Sequence, residues 1–326
     1  MKIELLELMR CPTTGQRLTP EADESNSQLI DVGWLVSEDG QHRYPIRNGI
    51  PRFVPQSNYA DNFGMQWNHF AKTQLDSYSG QPITESRFFE ATGWTKEVLK
   101  DQWVLDVGCG SGRFAEVALK AGAKVVALDY SSAVDACYFN LKAFPNLHVV
   151  QGDIYALPFQ PESFPFVYSL GVLQHTPDVE KAFAALPPMV QSGGRLCVDY
   201  YEKSLKSILF PKYWLRPVTK RIPQTTLFSF LQKAVPVMLP VSRFLGRVPL
   251  IGHMLKRLVP VANFYGSLSL DEKQQREWSL LDTFDWLAPK YDQPQTATTA
   301  RRWMEKANMK EIKVLKAGHL VAHGRK

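Results

Sequence analysis

Val104-Leu105-Asp106-Val107-Gly108-Cys109-Gly110-Ser111-Gly112-Arg113 is the stretch that decides the fold. Trp103 to Val107 is a short apolar run with β-branched residues, the pattern of a core strand. Gly108, Gly110 and Gly112 stand at alternate positions, where the backbone can turn tightly and come close to a ligand. From Phe114 to Ala121 the apolar residues recur at helical spacing, with Glu116 and Lys120 between them. The stretch predicts a buried strand, a glycine turn and a helix.

A glycine turn in that setting suggests a nucleotide-like ligand, and the side chains narrow its type. The dinucleotide fingerprint needs a small third residue, G-x-G-x-x-G or G-x-G-x-x-A, and Arg113 stands there instead. Asp106, two residues before the first glycine, would repel a pyrophosphate and favour a ligand that is cationic at this end. S-adenosylmethionine (SAM) carries an ammonium, a sulfonium and no phosphate. The run resembles the first motif, D-x-G-x-G-x-G, of class I SAM-dependent methyltransferases of the small-molecule and lipid type. The resemblance implies a Rossmann-like α/β fold with a seven-stranded, mostly parallel sheet. It also implies a cofactor site at Asp106, Gly108, Cys109, Gly110 and Gly112.

Strands and helices alternate downstream, as a parallel sheet requires. Lys124 to Leu128 reads as the second strand and ends in Asp129, placed to accept both ribose hydroxyls. Tyr130 follows it. A helix is expected from Ser132 to Leu141, with Ser131 or Ser132 as its cap. Leu147 to Gln151 reads as the third strand. Asp153 and Ile154 then match the family positions that take the adenine amino group and pack on the ring. Phe166 to Leu170 reads as the fourth strand, with Leu170 at the switch point where ligands bind. A helix from Asp178 to Met189 and a turn and strand from Gly193 to Tyr200 complete the run.

The segment after Leu170 resembles the V-x-x-H-x element of small-molecule and lipid methyltransferases. Ser169-Leu170-Gly171-Val172 replaces the N-P-P-Y run of enzymes that methylate exocyclic amines, which disfavours a nucleic-acid acceptor. His175 is the candidate general base, with an unperturbed pKa of about 6.5. Asp285, Tyr291 and His319 are weaker candidates. Gln66 and Trp67 are candidate pocket residues in an aromatic lead-in.

The chain divides into five segments on the sequence. Residues 1–55 form a small module whose Cys11-Pro12 and Tyr44 to Phe53 runs resemble the zinc-ribbon-like activators of tRNA and rRNA methyltransferases. The resemblance is degenerate: Thr14 stands where a cysteine is needed, so the four ligands of a zinc site are lacking and no metal is expected. Residues 56–101 are a helical lead-in, 102–201 the cofactor-binding core, 202–295 an insert, and 296–326 a helix and two closing strands.

Charge is concentrated in the insert. The chain carries +6 overall, from 38 Lys and Arg against 32 Asp and Glu. Lys203 to Leu270 holds eleven of the basic residues and no acid. Prolines at 211, 217, 223, 236, 240, 249 and 260 are expected to divide it into short kinked helices. Basic residues interleaved with apolar ones, Trp214 and Phe228 among them, suit an anionic membrane surface or an amphiphilic acceptor. The expected partners are a small-molecule or lipid-like acceptor and an anionic membrane surface at residues 203–270. Nucleic acid is disfavoured.

The N-terminal MKIELLELMR carries acids within its apolar pattern and does not read as a signal peptide. No apolar run is long enough to span a bilayer. Three of the four cysteines fall in core-like segments, which suits a reducing compartment. The expected location is cytoplasmic, peripheral to the inner face of the membrane where the insert meets lipid. Three function classes stay open: O-methylation of a small or amphiphilic acceptor, RNA methylation, and SAM binding without catalysis.

Overall fold

The computed structural model describes residues 1–21, 29–55, 60–203 and 211–326. Lys206, Leu209 and Phe210 of the basic segment, and the first residues of the lead-in, lie outside the described residues. The N-terminal part opens with a 3₁₀ turn, Ile3–Glu7, and continues as a four-stranded antiparallel sheet. Its strands are β1 (Leu18–Glu21), β2 (Gly33–Ser37), β3 (Arg43–Arg47) and β4 (Ile50–Pro51). Helices α1 (Asp61–His69), α2 (Asp76–Ser79), α3 (Ile83–Thr92) and α4 (Lys96–Leu99) follow.

The core alternates as expected. It runs β5 (Trp103–Val107), α5 (Arg113–Lys120), β6 (Lys124–Asp129), α6 (Ala133–Leu141), β7 (Leu147–Gln151), β8 (Phe164–Ser169), α7 (Val179–Ala184) and β9 (Val190–Tyr200). The insert contributes α8 (Pro211–Thr219), α9 (Gln224–Gly246), α10 (Gly252–Leu255) and α11 (Glu272–Leu287). The chain closes with α12 (Ala297–Lys306), β10 (Lys310–Ala317) and β11 (His319–Arg325). The main sheet has the order β10-β11-β9-β8-β5-β6-β7. β5 to β9 run parallel, and β11 is antiparallel to both β9 and β10. This is the seven-stranded Rossmann-like fold.

Alternation along each strand sends successive side chains to opposite faces. Leu105, Val107, Val126, Leu128 and Val150 pack on one face with α7, α12 and the N-terminal part. Val104, Val125, Ala127, Val149 and Phe166 pack on the other with α3, α5 and α6. The N-terminal part therefore shares a core with the main sheet. It also extends the edge of that sheet: Arg52 bridges Gln151 in parallel, and Phe53 N donates to the Gln151 carbonyl at 2.8 Å.

The insert departs from its expected form. α9 runs 23 residues through Pro236 and Pro240, and α8 contains Pro217. Both prolines of α9 are exposed, so the carbonyls left without an amide partner can face water, and the helix tolerates the loss. Leu227, Leu231, Val235 and Leu239 form its buried stripe against Phe284 and Leu287 of α11. The Gly193-Gly194 turn is likewise absorbed into β9, at an irregularity in its pairing with β8.

Candidate functional site

A cavity of about 610 Å³ opens at the carboxyl ends of β5, β6 and β8, the switch point of the parallel sheet. The volume lies within the range of ligand pockets. The turn after β5 forms its floor. Gly108 has φ +88° and a Cβ there would stand 2.4 Å from a Val172 methyl. Gly110 has φ +53°, and a Cβ would meet the Trp67 indole at 3.2 Å. Both positions need glycine to keep a backbone surface open to a ligand. Gly112 serves packing instead: a Cβ there would strike Leu141 at 2.7 Å and the Cys137 sulfur at 2.9 Å.

Asp129 ends β6 and organises the floor. Its Oδ2 accepts Gly110 N at 2.9 Å, and its Oδ1 accepts Ser131 N at 2.8 Å and Ser131 Oγ at 2.7 Å. Burial raises its pKa; the bonds from Ser131 and Gly110 oppose the rise. Ser131 Oγ also accepts Ala133 N at 3.2 Å, so the start of α6 is tied to the same carboxylate. Cys109, Tyr130, Ile154 and Leu170 join Asp129, Gly108 and Gly110 in the lining. Asp153 does not line the cavity; its Oδ1 accepts Tyr155 N at 2.9 Å.

Asp106 does not line the cavity either; it is buried in β5, two residues before Gly108, and is 2% exposed. Burial pushes its carboxyl up to about 8, and the neighbouring Tyr168 pulls it only partly back. Its Oδ2 has no hydrogen-bond partner among the described residues. A buried acid with one oxygen unpartnered, near a glycine turn and the Asp129 carboxylate that lines the cavity, fits a ligand that brings positive charge and hydroxyl groups. SAM meets both conditions.

The other half of the cavity is polar and aromatic. His175 lines it from the turn after β8, between the rings of Phe63 at 5.3 Å and Tyr201 at 5.4 Å. Its Nδ1 stands 3.0 Å from the Tyr291 carbonyl. A carbonyl only accepts, so the bond needs the proton on Nδ1, and in the neutral ring Nε2 then keeps its lone pair. Gln66 and Trp67 of α1 line the wall, as do Asp285 and His319. Tyr291 reaches the site through its carbonyl.

Several residues in or just behind the lining escaped the sequence reading. Asp199, at the end of β9, accepts Arg87 Nη2 at 2.8 Å and Gly171 N, and lies 3.3 Å from His319 Nδ1. Burial alone would raise Asp199, but His319 and the Arg87 guanidinium outweigh it and hold the carboxyl below its ordinary range. Arg113 bonds Gln74 Oε1, and Gln74 Nε2 lies 3.3 Å from Asp282 Oδ1. Burial and the neighbouring Asp285 push Asp282 up to about 7. Tyr201 donates to Asp285 Oδ2 at 3.2 Å.

Two basic residues read as surface charge turn inward. Lys212 and Arg216 each stand 3.6 Å from Asp292 Oδ2. Arg216 also donates to the carbonyls of Trp286 and Pro289, at 2.9 and 2.8 Å. Their acid partner lies outside the acid-free segment, so a count within that segment missed it.

Residues 105–198 match the family model described as a methyltransferase domain. The ubiquinone biosynthesis O-methyltransferase of Aliivibrio fischeri (strain MJ11) is 32% identical over 126 residues, 38% of this chain and 54% of that protein. The enzyme of the same name from Coxiella burnetii (strain Dugway 5J108-111) is 28% identical over 130 residues, 39% and 56%. The chain spans about half the length of these relatives. Among solved structures, human N-acetylserotonin methyltransferase in complex with SAM aligns with a TM-score of 0.45 at 14% identity. That alignment covers 84% of this chain and 60% of the human one. A SAM-dependent methyltransferase from Aquifex aeolicus aligns at 0.38 and 11% identity, covering 73% and 91%. Over residues 105–198 the chain is similar to the methyltransferase domain family.

Proposed function

We propose that the chain is a SAM-dependent methyltransferase acting on an oxygen of a small or amphiphilic acceptor, with His175 as general base. The observation that carries this reading is the bond between His175 Nδ1 and the Tyr291 carbonyl, which in the neutral ring leaves the lone pair on Nε2 of a residue that lines the same cavity as Gly108 and Gly110. The O-methyltransferase names of the relatives agree with an oxygen nucleophile.

When bound, SAM supplies a methyl group on a sulfonium. Asp129 and Tyr130 would hold the ribose end, with Ile154 and Leu170 on the adenine ring. Gly108 and Gly110 let the backbone approach. Phe63, Tyr201 and Trp286 exclude water and orient the acceptor, so that attack proceeds in line. His175 Nε2 would take the proton that the acceptor oxygen gives up on methylation. The resulting imidazolium sits between two aromatic rings, an environment that tolerates positive charge.

The insert supports a peripheral-membrane role in a cytoplasmic protein. Phe230, Val237, Val241 and Phe244 share a face of α9 apart from its buried stripe and are exposed. Leu250, 95% exposed, and Ile251, Met254 and Leu258 add to them. Lys220, Arg221, Lys233 and Arg247 are exposed in the same segment. Basic charge beside exposed apolar side chains suits an anionic lipid surface better than RNA, whose backbone offers nothing apolar. No helix among the described residues is long and apolar enough to cross a membrane.

Residues 1–55 are read as a metal-free relative of the zinc-ribbon activators. The Cys11 sulfur stands 3.2 Å from the Tyr44 hydroxyl, the kind of contact a side chain makes in a packed core.

Methyl-labelled SAM incubated with purified protein and fractionated cell extract tests the function. Label should enter a solvent-extractable small molecule or lipid. His175→Ala should slow transfer by about 100-fold or more, the scale of general-base catalysis. Label in RNA, or none at all, would favour the other two function classes.

A further inference from the structure

The run Asp282 to Thr296 ends in a strap, residues 289–295, that joins the insert to the site. On one side it is stitched to the His175 turn. Tyr291 gives its carbonyl to His175 Nδ1 at 3.0 Å. Gln293 N donates to the Gln174 carbonyl at 2.9 Å, and Gln293 Nε2 donates to the carbonyls of Thr176 and Pro177 at 2.9 and 3.0 Å. Gln295 N donates to the Tyr201 carbonyl at 2.9 Å, which fixes the strap to the end of β9.

On the other side the strap is gripped by α8, the first described helix of the insert. The Asp292 side chain is 3% exposed and has two cations near one oxygen, Lys212 and Arg216, each at 3.6 Å. Its second oxygen has no hydrogen-bond partner among the described residues. Arg216 also donates to the carbonyls of Trp286, just before the strap, and Pro289, its first residue, and Thr219 Oγ1 donates to that of Leu287 at 2.9 Å. The Lys212 ammonium lies 4.6 Å from the centre of the Tyr201 ring, which itself packs on His175. Asp292 and Tyr291 are adjacent, so one residue faces the insert and the next faces the base.

We infer that Asp292 is a positioning residue: by anchoring α8 it holds the Tyr291 carbonyl on His175 Nδ1, so that seating of the insert decides which imidazole nitrogen is bare. The consequence for catalysis rests on His175 being the base, but the coupling itself does not. A buried carboxylate shared by two cations is costly to remove, because Lys212 and Arg216 each lose the carboxylate they are paired with. The tautomer of a histidine is set by the bond its other nitrogen makes. Loosening the strap therefore frees the proton to move to Nε2, and a base without a lone pair facing the acceptor cannot act.

The test is nitrogen NMR on full-length protein with labelled histidine, at a pH where histidine is neutral, with His175 assigned by its loss in His175→Phe. Wild-type His175 should show a protonated Nδ1 and a bare Nε2. Asp292→Asn should convert this to a mixture of both tautomers, and Asp292→Glu should restore the single form. Lys212→Gln removes one cation while Arg216 keeps its carbonyl bonds; it should shift the mixture the same way and decides the matter if Asp292→Asn does not fold. A single Nδ1-protonated form in a folded Asp292→Asn or Lys212→Gln protein would overturn the inference. So would a wild-type His175 protonated on Nε2. This readout needs no acceptor, so its failure is distinct from a failure of methyl transfer.

Discussion

Asp106 offers a quantitative prediction, because it is buried, lacks a partner for one oxygen, and is held near pH 8 by its surroundings. In the unfolded chain the same carboxyl ionises near 3.8. Between these values the folded protein binds one more proton than the unfolded one, so this group makes stability fall as pH rises from about 4 to about 8. At 1.36 kcal/mol per pH unit the cost would approach about 5 kcal/mol, and relaxation and water entry bring the expected value to about 2–3 kcal/mol. Asp106→Asn removes the titration and keeps the shape. Urea unfolding should therefore find variant and wild type within about 1 kcal/mol of each other at pH 5, with the variant about 2–3 kcal/mol more stable at pH 8. If the cationic end of SAM lies near Asp106, as the sequence motif implies, it favours the ionised acid and reverses the balance. Wild-type protein should release close to one proton on binding SAM near pH 7, and affinity should rise with pH up to about 8. Calorimetry in buffers of different ionisation enthalpy measures that proton. Equal pH dependence in the two proteins, with no proton released, would refute the reasoning.

Two further perturbations follow from the packing. Gly108→Ala forces a Cβ onto Val172 at a positive φ and should cost about 1–3 kcal/mol of stability. Val172→Ala in the same chain should return part of the loss, as a double-mutant cycle by urea unfolding would show. The protein should float with vesicles of acidic lipid and far less with neutral ones, and salt should weaken binding. Replacing Lys220, Arg221, Lys233 and Arg247 with Gln should release it, at about 1 kcal/mol per charge. Binding that is equal on neutral vesicles would contradict the electrostatic part of that reading.

The legible part of the site is the part made by local sequence. The strand, the three glycines, Asp129 and His175 lie within or just after single β-α turns, where spacing alone places them. Arg87, Arg113, Asp199, Tyr201 and Asp282 come together from α3, α5, β9 and α11, and no local pattern reports that they meet. One signal was present: Asp271 and Gln274 form a capping box at the start of α11, and read forward they place Asp282 and Asp285 one turn apart on a helix. The prolines of α9 misled because their rule turns in part on a carbonyl left without an amide partner, and on an exposed helix face water can take that place. Lys212 and Arg216 misled because charge was counted along the chain, whereas Asp292 approaches them through space. The resemblance also placed Asp153 in the adenine site, while in the structure its side chain caps its own turn.

The account stands most directly on cofactor binding. Titration calorimetry with SAM should give one site per chain. Asp129→Ala should weaken it by about 2–4 kcal/mol, through lost hydrogen bonds to the ribose and a loosened Gly110 turn. Wild-type protein that ignores SAM, or that binds NADH in its place, would contradict the account, as would SAM affinity unchanged by loss of Asp129.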